Sequence, residues 1–181
     1  MAKVKAVIFD MDGTVADTLA SIAGFGNAAL KAHGYPEIET ERYRRLVGNG
    51  ADVLMRRMLD AVSAQPYTEA DVQALRATYD ALYESDPTRL VAPYPGIPAL
   101  LRDVRDAGVK TAVLSNKPDN MTRFIAGALF PGLFDIVHGQ RAGVPKKPDP
   151  AAVFEICEAL GVRPAECLYV GDSGVDMQTE I

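Results

Sequence analysis

In Lys5-Ala-Val-Ile-Phe-Asp-Met-Asp-Gly-Thr14 an apolar run ends in two aspartates spaced one residue apart. The run predicts a strand over residues 4–9, buried on both faces as in a parallel sheet. Bare carboxylates at the end of such a strand repel one another and resist leaving water. Their placement therefore calls for a counter-charge, and the remainder of the chain indicates which.

At 181 residues and 48% hydrophobic content, the chain can build one core domain with a modest insertion. Its net charge of −5, with lysines and arginines scattered, offers no basic patch and argues against a nucleic-acid partner. Cys157 and Cys167 are expected to be free thiols packed as small hydrophobes, without metal-ligand spacing. The first apolar run breaks at Asp10, too early for a signal peptide or a membrane span, so a cytoplasmic protein with no membrane partner is expected.

After Thr14 the texture becomes helical, with patterns over about 18–33, 39–47, 51–63 and 68–84. Thr68-Glu-Ala-Asp71 reads as a capping box, and Thr40 as the cap of the helix before it. Prolines then cluster in Asp86–Pro98, and an α/β pattern follows. It consists of a helix over 96–107, a strand over 110–116, a helix over 119–129 and a strand over 134–139. A helix opened by Asp149-Pro150 and closed by Gly161 leads to a last strand over 167–172. The predicted organisation is an α/β core, residues 1–15 and 89–181, with a Rossmann-like parallel sheet, interrupted by an all-helical insertion at 16–88.

Polar residues gather where these strands end. Asp10 and Asp12 follow the first, Ser115 and Asn116 close the second, and Gly171-Asp172 closes the last, with Asp176 four residues on. Alone, each has an ordinary reading: a turn, a helix cap, or for Lys147 a solvated loop lysine. At successive strand ends of a parallel sheet they share one rim, where ligands of such folds bind. Residues i and i+2 point to one side, so Asp10 and Asp12 can face one ligand. Four carboxylates against Lys147 sum to −3, untenable in a low-dielectric cleft without a cation. Oxygen donors without imidazole or thiolate favour Mg²⁺ over zinc, and Mg²⁺ beside a lysine and a hydroxyl suits a phosphoryl group.

"DMDGT" (10–14), "LSN" (114–116), "KKPDP" (146–150) and "GDSGVD" (171–176) resemble, in order, the four motifs of the haloacid dehalogenase (HAD) superfamily of phosphohydrolases. "RLVGNGADVLMRRML" (45–59), "YPGIPALL" and "LSNKPDN" are similar to the bacterial phosphoglycolate phosphatase branch. The resemblance implies a HAD core with a helical cap, and Asp10 as the nucleophile that forms an aspartyl-phosphate. It implies Asp12 as general acid and base, Ser115 and Lys147 as catalytic partners, and Asn116 and Thr14 as substrate contacts. Mg²⁺ would be held by Asp10, Asp12 through its carbonyl, and Asp172, with Asp176 in the metal shell or orienting the lysine. Lys146 is a rival for the lysine role; Lys147 is preferred because it directly precedes Pro-Asp-Pro. Asp12 sets the chain apart from the dehalogenases, which lack that second acid.

The expected activity is Mg²⁺-dependent hydrolysis of a small phosphorylated metabolite, 2-phosphoglycolate first. A phosphosugar mutase, a phosphatase of another small phosphate (pyrophosphate included) and a non-enzymatic receiver-like module are alternatives. Gly48-Asn49-Gly50 reads either as backbone amides that bind a substrate carboxylate or as a helix–helix turn. His33 and His138 are expected to be bystanders, and Met55 and Met58 core residues. The family pattern continues past the fourth motif with another strand and helix, so the core reads as incomplete at its C-terminal end. An open sheet edge of that kind favours a homo-oligomer.

Overall fold

The computed structural model describes residues 3–179. Strand β1 (Ala6–Phe9) is buried at every position, as its unbroken apolar sequence requires. It lies between β4 (Lys110–Pro118) and β6 (Cys167–Val170), and β5 (Ile136–Gln140) extends the sheet beyond β4. All three pairings are parallel, giving the order β5-β4-β1-β6. The register sets Phe9 beside Val113 and Val170, which brings the C-terminal ends of β1, β4 and β6 to one rim.

Helices α4 (Ile97–Asp106), α5 (Asp119–Leu129), α6 (Ala151–Leu160) and the short α7 (Gly174–Gln178) complete this unit. Ile8, Ala112 and Leu114 pack with Ala152, Val153, Ile156 and Cys157 of α6. Phe9, whose side chain alternates to the opposite sheet face, meets the edge of Phe134, which in turn meets Phe130 after α5. The helix expected to open with Asp149 as cap and Pro150 as its first residue begins one residue later, with Pro150 at the N-cap; Asp149 Oδ1 accepts from the Ala151 amide, and Gly161 ends α6 at φ +68° as expected.

The chain divides into two compact units. One holds the residues up to Asp17 and from Ala92 onward, and the other is Thr18–Val91. A two-stranded antiparallel ribbon, β2 (Ala16–Asp17) with β3 (Ala92–Pro93), joins the two passages of the chain between them. The sequence marked this place only as a proline-rich linker.

The second unit contains α1 (Leu19–Ala32), α2 (Ala51–Val62), α3 (Glu69–Ser85) and a 3₁₀ segment, Thr40–Arg45. Met55 and Met58 of α2 are fully buried, with Val72, Leu75, Tyr79 and Tyr83 of α3 also in the core. The Thr68–Asp71 capping box forms in full. The α-helix expected over 39–47 does not. Thr40 makes no cap, and the segment stays a six-residue 3₁₀ turn. Its buried Tyr43 donates to Asn27 Oδ1 at 2.9 Å, while the Arg57 guanidinium takes the carbonyls of Leu46 and Val47 that a longer helix would direct along its own axis.

Candidate active site

The rim is built first by the turn that leaves β1. The Met11 carbonyl accepts from the amides of Thr14, Val15 and Ala16, and Gly13 adopts φ +88°. A Cβ on Gly13 would stand 2.3 Å from Asp172 Oδ2, and one on Gly171 would stand 2.3 Å from Asp176 Cγ. Both glycines therefore let backbone and carboxylate approach closely.

Lys147, in the loop before α6, reaches into the rim and donates to Asp10 Oδ1 at 2.8 Å and to Asp176 Oδ1 at 2.7 Å. All three side chains are buried. Lys146, its sequence rival, is exposed. Burial pushes the Asp10 carboxyl up to about 7, against the pull of Lys147 and with the help of Asp176 and Asp12. Burial alone would lower Lys147, but Asp10, Tyr169 and Asp176 raise it overall, so it stays an ammonium. Burial likewise works to raise Asp176, yet the charge and hydrogen bond of Lys147, with the Ser173 hydroxyl and amide, hold it below the ordinary carboxylate range. Asp172 is pushed up by burial, countered in part by Thr14, whose hydroxyl donates to Asp172 Oδ1 at 3.2 Å.

Asp10, Asp172 and Asp176 each present a carboxylate oxygen within 4.8 Å of the other two, the donor set of a hard cation. Their shares differ. Asp176 has Oδ1 engaged by Lys147 and by the Tyr169 hydroxyl, and Oδ2 by Ser173. It serves the lysine at least as directly as it could serve a metal.

Three expected site residues also bond within the protein. Asn116, expected on substrate, clasps the Lys147 backbone: its Nδ2 donates to the Lys147 carbonyl at 3.1 Å, and its Oδ1 accepts from the Lys147 amide at 2.9 Å. This pair of bonds fixes where the lysine enters. Thr14, also expected on substrate, orients Asp172. Ser115 lies on the rim at the end of β4, and its hydroxyl accepts from the Lys117 amide at 3.2 Å.

Lys117 was not singled out by sequence. Its Nζ lies 3.2 Å from both Asp12 oxygens and hydrogen-bonds Oδ2, leaving Oδ1 buried without a hydrogen-bond donor among the described residues. The signal was present, since Lys117 stands two residues after Ser115 on one strand and so shares its side. With Lys117 counted, four carboxylates and two ammonium groups leave −2 on the rim, the charge that one divalent cation neutralises.

Gly48, Asn49 and Gly50 belong to the helical unit. Gly48 and Gly50 take φ +103° and +87°, and Asn49 Oδ1 accepts from Arg57 Nη2 at 2.8 Å. Arg57 thus holds the whole 46–50 turn. His33 bonds Thr78 at the surface, and His138 lies beside Arg141 on β5.

Comparison with known proteins agrees with this geometry. A phosphoglycolate phosphatase of Pseudomonas putida is 38% identical over 95% of this chain, which spans 64% of that relative's length. An N-acetylmuramic acid 6-phosphate phosphatase of Pseudomonas aeruginosa is 32% identical over 98% of the chain and 77% of its own. The crystal structure of a provisionally assigned phosphoglycolate phosphatase from Lactobacillus delbrueckii subsp. bulgaricus superposes with a TM-score of 0.93 at 32% identity, covering 98% of this chain and 82% of that one. Residues 4–179 match the family model of the haloacid dehalogenase-like hydrolases, and with the acid–lysine rim at the ends of β1, β4 and β6 this places the chain in that family.

Proposed function

We propose that the protein is a Mg²⁺-dependent phosphomonoesterase acting on a small phosphorylated metabolite, with 2-phosphoglycolate as the first candidate. One observation carries this reading: Lys147 is buried between Asp10 and Asp176 on a rim that still holds excess negative charge. A surface ion pair has no need of such a cluster, whereas attack by a carboxylate on a dianionic phosphate needs a cation on each side of it.

Asp10 is the nucleophile, opening its Oδ2 to phosphorus while Lys147 fixes Oδ1. Asp12, two residues on and steered by Lys117, protonates the leaving alkoxide and then takes a proton from the water that hydrolyses the aspartyl-phosphate. Ser115 and neighbouring amides hold the transferring oxygens. The donor set fits Mg²⁺, which Asp10, the Asp12 carbonyl and Asp172 would hold, with Asp176 supporting the shell or the lysine. When bound, the ion neutralises the developing charge on the phosphoryl oxygens. The helical unit is read as a cap, and its Gly48-Asn49-Gly50 turn, stiffened by Arg57, as the part that selects the leaving group. The substrate follows the relatives named phosphoglycolate phosphatase; the N-acetylmuramic acid 6-phosphate phosphatase marks how wide the leaving-group range among such relatives can be.

Phosphate release from a panel holding 2-phosphoglycolate, N-acetylmuramic acid 6-phosphate, glucose 1-phosphate and pyrophosphate, with Mg²⁺, tests the proposal. Asp10→Asn is expected to lose on the order of 10⁴-fold in kcat with a circular dichroism spectrum like that of the wild type. An active Asp10→Asn variant overturns the mechanism, and a preference for a bulky sugar phosphate overturns the substrate assignment alone.

A further inference from the structure

Cys157 and Cys167 read from sequence as two unrelated small hydrophobes. The fold brings them together: Cys157 lies in the second turn of α6, Cys167 opens β6, and their sulfurs stand 3.3 Å apart. Cys157 is buried in the cluster formed by Ile8, Ala112, Leu114 and Ile156, and Cys167 packs against that cluster while keeping partial exposure. The pair sits at the N-terminal rim of the sheet, where Cys167 pairs with Ala6, opposite the rim that carries Asp10 and Asp172.

We propose that Cys157 and Cys167 are a redox-convertible dithiol, oxidised by hydrogen peroxide to an intramolecular disulfide that ties α6 to β6. Contact between the sulfurs meets the first requirement, because a bond of about 2.05 Å forms only between sulfurs that can already meet. Cys167 is the sulfur a small oxidant can reach. Its thiolate attacks one peroxide oxygen, the O–O bond breaks, and hydroxide leaves, giving a sulfenic acid. The Cys157 sulfur then attacks the Cys167 sulfur, the S–O bond breaks, and water leaves. In sum two thiols and one hydrogen peroxide give one disulfide and two waters, with the peroxide reduced by the two electrons the sulfurs lose.

The reaction is slow at neutral pH. Burial, with the Cys157 hydrogen bond after it, pushes the Cys167 thiol up to about 12, so little thiolate is present. This makes the pair a reserve cross-link that responds to sustained oxidation, and the rate is expected to rise about tenfold per pH unit below that value. The disulfide would close a short loop that includes the C-terminal half of α6 and the Pro164–Glu166 turn. It would join the two segments that deliver Lys147 and Asp172 without touching either.

The test uses the full reduced chain treated with hydrogen peroxide at pH 9. Expected are loss of both thiols, loss of two hydrogens in intact mass, a Cys157–Cys167 cross-linked peptide on non-reducing digestion, and full reversal by dithiothreitol. The melting temperature of the oxidised protein should rise by about 5 °C. In Cys157→Ala, Cys167 lacks its resolving sulfur, so a sulfinic acid that dithiothreitol cannot reverse replaces the disulfide. Sulfinic acid on Cys167 in the wild type, or a cross-link between two chains, overturns the proposal. The wild-type mapping stands even if the variant folds poorly.

Discussion

In the helical unit, Arg44 and Glu41 pair with 61% and 74% of their side chains exposed, and Arg56 and Glu69 with 45% and 56%. In the α/β unit, Lys147 pairs with Asp10 and Asp176 at 4%, 10% and 1%. The first kind of pair leaves its charges hydrated and gains little from meeting. The second gives up hydration and recovers it only through mutual attraction and dense hydrogen bonding. Charges driven into the interior at the ends of three strands, and still out of balance by −2, are therefore what supports the proposed phosphoryl site. Exposed pairs on α2 and α3 are solubility and local support.

Breaking the buried cluster should have the largest effect. Lys147→Met leaves Asp10 and Asp176 buried without their cation, and removing one partner of such a cluster costs about 3–5 kcal/mol. For a chain of this size that is roughly 10 °C in melting temperature, readable by thermal denaturation, together with phosphate release reduced to background. A variant that melts like the wild type would show that water, and not Lys147, screens the acids.

The pH response sharpens the same contrast. Asp10 binds its proton more tightly when folded, near 7, than its ordinary value of 3.8. For a group raised in this way the folded state holds more protons between those values. Stability is therefore fully present below about 4 and is lost as pH climbs through about 7. Mg²⁺ favours the ionised form, so it should raise the melting temperature more at pH 8 than at pH 5. Equal metal-induced shifts at both pH values would disconnect Asp10 from the metal.

The smallest effect belongs to the helical unit. Arg56→Gln removes an exposed partner of Glu69 and should leave the melting temperature within about 1 °C. A drop comparable to that of Lys147→Met would erase the distinction between the two units.

The four strand-end motifs were legible because each is local. An apolar run, a break and an acid can be read within ten residues, as at Val7 to Asp12 or Leu168 to Asp172. The capping box at Thr68 and the stop at Gly161 were legible for the same reason. The segment at 39–47 misled because its helical pattern is overridden by contacts from elsewhere, Asn27 to Tyr43 and Arg57 to Leu46. The protein partners of Asn116 and Thr14 were not legible, because the groups they bond lie 31 and 158 residues away in sequence.

The sequence by itself determined the order of the main strands and helices, the acids at the strand ends and the excess negative charge among them, because periodicity, caps and charge act over short range. Tertiary structure alone decided that Lys147 enters between Asp10 and Asp176, that Lys117 stands over Asp12, and that Cys157 meets Cys167. Those meetings depend on strand register and side-chain packing, which bring together groups that no local pattern connects.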